Sequence, residues 1–173
     1  MKKLFATLAI LLFTSSLVLA QSDEEKATIL KVGDNLPSFN FELTKGKINN
    51  ISDYKGKLIL INLFATWCPP CNEELPVMQK DIWDKYKDNK NFALFVFGRE
   101  EGWEKLNNFK VQKGFTFPIL PDVDRSIFSK FAKSFIPRNF LIDENGKIIY
   151  ESVGYSPDEF KKLEDVIAAH LNK

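Results

Sequence analysis

Cys68 and Cys71 stand three positions apart and are the only two cysteines in a chain of 173 residues, which also holds a single histidine, His170. Two thiols at this spacing can close a disulfide and open it again by thiol–disulfide exchange. Their scarcity excludes other uses. Structural zinc usually takes four Cys or His ligands, and neither that nor a multi-bridge disulfide framework can be built from this set. A purely structural staple is the bland alternative, yet a loop this short removes little entropy from the unfolded chain and so adds little stability. The pair therefore reads as a redox centre, and His170, one turn from the C-terminus, reads as a helix-end surface residue.

Whether a thiol pair reacts depends on what holds it. The run LILINLF at residues 58–64 is too continuously apolar for a half-exposed strand and predicts a central strand buried on both faces. After the cysteines, Leu75, Met78, Ile82 and Tyr86 recur at the spacing of one helical face, in a helix that Pro76 should kink. Cys68 then falls near the helix N-cap and Cys71 one turn further in. Unpaired N–H groups and the helix dipole favour negative charge there, and thiols in such pairs titrate from about 3.5 to 7. Cys68 is the expected nucleophile and the more buried Cys71 the resolving thiol. Pro69 and Pro70 stiffen the turn but remove two donors, which predicts a milder acid shift than in pairs with a His between the cysteines.

The remaining pattern supplies the frame. Phe39, Phe41 and Leu43 alternate with polar residues before Lys45-Gly46, predicting a short hairpin that ends near Ile51. A second buried strand covers residues 92–98, Trp103, Leu106 and Phe109 mark a helix, residues 117–120 form a short edge strand, and residues 125–135 read as a helix that stops at Ile136-Pro137. Asn145-Gly146 between two apolar runs signals a second hairpin, and Ser156-Pro157-Asp158-Glu159 opens the last helix as a capping box. Strands alternating with helices and closing on a hairpin predict an α/β sandwich around a mixed sheet.

Composition sets the outer bounds. With 45% apolar residues, 16 Phe and a formal net charge of +1, the chain can bury a large core and offers no basic field for nucleic acid. Lys2 and Lys3, an apolar run at residues 4–13 and Val18-Leu19-Ala20 have the layout of a secretory signal peptide over residues 1–20, favoured over an uncleaved membrane anchor. Its removal takes the formal charge from +1 to −1. Residues 21–31 read as a flexible leader and residues 32–173 as the folded domain.

The residues FATWCPPC, Pro76 and the Ile136-Pro137 step before a strand resemble the thioredoxin superfamily, in particular its exported TlpA/ResA-like branch of thiol–disulfide oxidoreductases, which overlaps the AhpC/TSA-redoxin profile. The resemblance implies a thioredoxin-like three-layer sandwich, with helices on both faces of a mixed central sheet and an N-terminal β-hairpin. It implies that Cys68 attacks and Cys71 resolves, that Trp67, Pro69, Pro70, Ile136 and Pro137 form the substrate-binding surface, and that Pro137 follows a cis bond. It calls for no cofactor and no metal. One departure stands out: ordinary thioredoxins keep a buried acid six residues before the first cysteine, where this chain has Asn62. Similar exported members place a Glu after the next strand, so Glu100, with Glu101 as its alternative, is the expected proton acceptor for Cys71.

The activity so implied is reduction of protein disulfides by a monomer that a membrane electron-transfer partner re-reduces. Two other readings compete. A redoxin-type thiol peroxidase wants Thr or Ser three residues before its reactive cysteine, where Ala65 stands. A non-catalytic peptide-binding module would use the Ile136 surface with its disulfide kept closed.

Overall fold

The computed structural model describes residues 22–172, so the expected signal peptide lies outside the described residues. The first element is a short helix, α1 (Asp23–Ala27), capped by the Ser22 hydroxyl. Next come the hairpin β1 (Asn40–Thr44) and β2 (Lys47–Asn50), a 3-10 turn (Ile51–Tyr54), and β3 (Leu58–Phe64). The central crossovers follow as α2 (Pro69–Met78), a π-helical turn (Gln79–Trp83), α3 (Asp84–Tyr86), β4 (Phe92–Arg99), α4 (Trp103–Lys113) and β5 (Ile119–Asp122). The chain ends with α5 (Phe128–Phe131), the hairpin β6 (Arg138–Ile142) and β7 (Ile148–Val153), and α6 (Pro157–Leu171).

β3 is the middle of a five-stranded sheet ordered β5-β4-β3-β6-β7, parallel to β4 and antiparallel to β6. All seven of its residues are buried, as a continuous apolar run requires. Alternate side chains serve two cores. Leu58, Leu60 and Phe64 face Leu75 and Met78 of α2, Leu106 and Phe109 of α4, and Phe160, Leu163 and Ile167 of α6. Ile59, Ile61 and Leu63 face a Phe-rich layer made by the first hairpin (Phe39, Phe41), β4 (Phe95, Phe97), α5 (Phe128, Phe131) and Phe140 of β6. Because β3-α2-β4 and β4-α4-β5 step the same way across the sheet, right-handed crossovers put both helices on one face. The other face is covered by one helical turn and the aromatic hairpin.

Two expectations change. The helix expected over residues 125–135 is only the turn α5, because the Asp122 carboxylate captures the Ile127 and Phe128 N–H groups at 2.9 and 2.8 Å, and Ala132 is drawn into a β-bridge with Thr28. Residues 21–31 were expected as a flexible leader, but the described part docks. Ala27 and Thr28 are buried, Ile29 N–H donates to the Phe131 carbonyl at 2.9 Å, and Lys133 N–H donates to the Ala27 carbonyl at 2.8 Å. The polar composition of this segment hid main-chain pairing, which needs no particular side chains. Pro76, where a kink was expected, stands inside α2, and within one turn the helix passes into the π-helical segment, which keeps Met78 and Ile82 on the buried face.

Candidate active site

The cysteines sit where β3 runs into α2. Cys68 is the N-cap of α2 in extended conformation, Pro69 and Pro70 occupy its first positions, and the Cys71 N–H points at Cys68 Sγ from 3.3 Å. The two residues form a disulfide with Cα atoms 5.3 Å apart. Cys68 keeps 3% of its surface and Cys71 none, so an incoming sulfur meets Cys68 first. Beside it the Ile136–Pro137 peptide is cis, and the Ile136 carbonyl oxygen lies 3.8 Å from Cys68 Sγ. Trp67 is exposed at 60%, Pro69 is exposed, Pro70 and Ile136 are half-buried, and Pro137 is buried, so this set forms a rim around one sulfur.

The strand-to-helix loop is held from both sides. Asn72 donates through Nδ2 to the Thr66 and Cys68 carbonyls at 3.0 and 2.9 Å. Glu101, only 3% exposed, accepts from the Thr66 N–H at 3.0 Å and from its hydroxyl at 2.7 Å, and pairs with Lys105 at 2.7 Å.

Glu100, the expected proton acceptor, takes no part in this. Its backbone has φ of 61°, its N–H donates to the Asp122 carbonyl at 2.8 Å, and its half-exposed side chain turns to Arg99 Nε at 3.0 Å. The turn ending β4 thus aims Glu100 outward and Glu101 into the Thr66 loop, and neither carboxylate hydrogen-bonds to a cysteine.

The acid the sequence reading passed over is Glu74. It lies one helical turn beyond Cys71 on the same face of α2 and is 1% exposed. Its carboxylate accepts from Asn62 Nδ2 of β3 at 2.9 Å and from Asn139 Nδ2 of β6 at 2.5 Å. Those asparagines are directly opposed across the strand pair, and Asn62 also donates to Asn139 Oδ1 at 2.9 Å. Burial pushes the Glu74 carboxyl up to about 7, against the two amides, which favour its ionised form. Asn62 therefore occupies the place of an acid by binding one. A signal was present: Cys71, Glu74, Leu75 and Met78 share the spacing of a single buried stripe, and Glu74 is the one polar residue on it.

A cysteine pair at a helix N-cap, flanked by a cis-proline and built on this sheet order, can be matched against known families. The model of the family described as Redoxin matches residues 31–167. The chain belongs to the redoxin family. Among relatives of this redoxin, the thiol–disulfide oxidoreductase ResA of Bacillus anthracis is 31% identical over 138 residues, covering 80% of this chain and 77% of that one. ResA of Bacillus cereus strain ATCC 10987 is 33% identical over the same length and coverage. The solution structure of a candidate protein disulfide isomerase from Bacteroides thetaiotaomicron superposes with a TM-score of 0.81 at 38% identity, covering 85% of this chain and 94% of that one. A thioredoxin-family thiol:disulfide interchange protein from Chlorobium tepidum TLS matches with a TM-score of 0.63 at 25% identity, covering 80% and 98%. The fold is thioredoxin-like, and this redoxin is a thiol–disulfide oxidoreductase.

Proposed function

We propose that this redoxin is an exported reductase of protein disulfides, cycling between the Cys68/Cys71 dithiol and disulfide. The Cys68 thiolate attacks one sulfur of a substrate disulfide, a mixed disulfide forms, and the other substrate sulfur leaves as a thiolate that takes a proton from water. Cys71 then gives its proton to the Glu74 carboxylate and attacks Cys68 Sγ. The second substrate sulfur leaves, the Cys68–Cys71 bond closes, and two electrons have passed to the substrate. Trp67, Pro69, Pro70 and the Ile136 backbone at Pro137 hold the substrate chain across Cys68, the Ile136 segment being able to pair with an extended strand. The observation that carries the reading is a buried carboxyl poised at about 7 one turn behind the resolving cysteine, the value a proton acceptor needs near neutral pH.

Export follows from the charged and apolar layout of residues 1–20. Outside the cytoplasm thiols tend toward disulfides, so a reductase there needs a membrane partner that returns two electrons per turnover. Insulin reduction tests the activity: the wild-type protein with a thiol donor should precipitate insulin chains, and Cys68→Ser should abolish this. Peroxide turnover that survives loss of Cys71 would overturn the reading in favour of a peroxidase. Peptide binding unchanged by either cysteine substitution, without insulin reduction, would favour a non-catalytic module.

A further inference from the structure

Arg138 directly follows the cis-proline and is fully buried, the largest of the fully buried side chains. Its guanidinium works in two directions. Nε donates to the Ser134 and Phe135 carbonyls at 3.0 and 3.1 Å, and Nη1 donates to the Thr28 hydroxyl at 2.9 Å. Thr28 in turn donates its hydroxyl proton to the Glu24 carbonyl at 2.8 Å, closing the end of α1. Main-chain bonds run alongside: Ile29 and Leu30 N–H to the Phe131 carbonyl, and Lys133 N–H to the Ala27 carbonyl. The segment between these anchors, residues 134–136, carries Phe135 in left-handed conformation with φ of 65° and a 43% exposed side chain, and it ends on the carbonyl beside Cys68 Sγ. A large residue keeps such a backbone only where its surroundings fix it. Here a single Nε–H is shared between two successive carbonyls while Nη1 of the same rigid plane reaches Thr28, two directions that a lysine, as a point charge, does not hold together.

We propose that Arg138 is a positioning residue and that residues 24–30, with Thr28 at their centre, are the other half of a clamp that sets the Phe135–Ile136 segment for binding a protein disulfide. The leader is thus a working part of substrate recognition. The inference rests on the reading that the Ile136 backbone faces the substrate. The clamp touches no reacting atom, so it governs how a polypeptide docks and leaves the exchange chemistry of Cys68 to the helix N-terminus. A small aromatic disulfide, which makes no strand-like contact, should not depend on it.

Two substitutions in the full chain test this, Thr28→Val, which keeps shape and removes the hydroxyl, and Arg138→Lys, which keeps charge and removes the planar group that joins the Nε and Nη1 contacts. Hydrogen exchange at residues 133–136 should be about tenfold faster in both than in wild type, beyond any change in the most protected core amides. KM for insulin should rise about fivefold or more, with kcat and the rate on a small aromatic disulfide changed less than about twofold. Unchanged local exchange overturns the clamp, as does faster exchange with an unchanged insulin KM. A proportional fall on both substrates, tracking loss of folded protein, also overturns it, since that is what a merely structural residue would give. Should wild type reduce the small disulfide but not insulin, the reductase reading fails. The clamp is then judged on the same variants by affinity for an extended peptide disulfide trapped on Cys71→Ser protein: about fivefold weaker trapping supports it, and equal trapping overturns it.

Discussion

In the proposed cycle Glu74 links protonation to both chemistry and stability. A carboxyl whose value in the fold stands at about 7, above its ordinary 4.5, is bound to its proton more tightly folded than unfolded. Its contribution is harmless below about pH 4.5, turns against the fold as pH rises, and is fully unfavourable above pH 7, where it amounts to about 3 kcal/mol. Glu74→Gln should therefore stabilise the oxidised protein against urea by about 2–3 kcal/mol at pH 8 and by little at pH 4.5. The same substitution should slow resolution of a mixed disulfide by about 10²-fold near neutral pH and remove the pH dependence between 6 and 8, read by stopped-flow release of a labelled substrate thiol. A gain in stability together with a loss of rate is the mark of a functional buried charge. Asn139→Ala gives a complementary test. Removing a donor that favours the ionised form should move the midpoint of the pH–rate profile upward, and a downward move would contradict the geometry. Of these residues the sequence revealed the cysteines at once, because type and spacing alone define their chemistry. Glu74 was hidden because an acid inside an amphipathic helix normally faces water, and what turns it inward is a pair of asparagines 12 and 65 positions away.

Elements explain why some parts of the fold were legible and others not. β3 was readable because burial on both faces erases polar alternation, and α6 because Ser156 and Pro157 spell out its start. α5 and the leader were not, since one is cut short by a side-chain cap from Asp122 and the other is held by backbone pairing with Phe131 and Lys133. The leader's partners lie 101 to 106 positions away, and the Asp122 cap, though only five and six positions from the N–H groups it takes, leaves no periodic trace. The turn between β4 and α4 belongs with these, for its consequence is the inward aim of Glu101 at Thr66. That aim depends on how closely α4 lies on β4. A Cβ on Gly98 would stand 2.4 Å from Leu106 Cδ2, and Leu106 is fully buried, so the helix must retreat. Gly98→Ala should cost about 1–3 kcal/mol in denaturant unfolding. The loss of the Glu101–Thr66 bonds should appear as faster amide exchange at Thr66. Unchanged exchange at Thr66 would mean that the loop is held by Asn72 alone.

At the scale of the molecule, one sheet separates a chemical side from a supporting one. The side facing α2, α4 and α6 contains the disulfide and the Glu74–Asn62–Asn139 cluster, so its packing is interrupted by polar groups that must stay bonded. The other side packs seven Phe among Ile and Leu: Phe41 lies 5.0 Å from Phe95 and 5.7 Å from Phe97, and Phe39 lies 5.9 Å from Phe97 and from Phe131. Such pairs add about 0.5–1.5 kcal/mol each beyond the area they bury. The first hairpin is thus joined to the domain by side chains, since its two strands form a sheet of their own. Phe41→Ala should consequently remove about 3–5 kcal/mol of stability, seen as a lower urea midpoint. Because the Phe41 ring packs on Phe39, Tyr54, Phe95 and Phe97, on the face of the sheet away from α2, the folded fraction should react with a small disulfide at the wild-type rate per molecule. Phe39→Ala should differ in kind. Its ring packs on Phe131, whose carbonyl receives the leader's N–H groups, so this variant should lose stability and also loosen the segment before Pro137. Comparing the two by local exchange at residues 133–136, with global stability matched by added osmolyte, separates a core that only stabilises from one that also transmits position. Equal exchange in both variants would show that the leader's hold on the segment before Pro137 is independent of the aromatic layer beneath it.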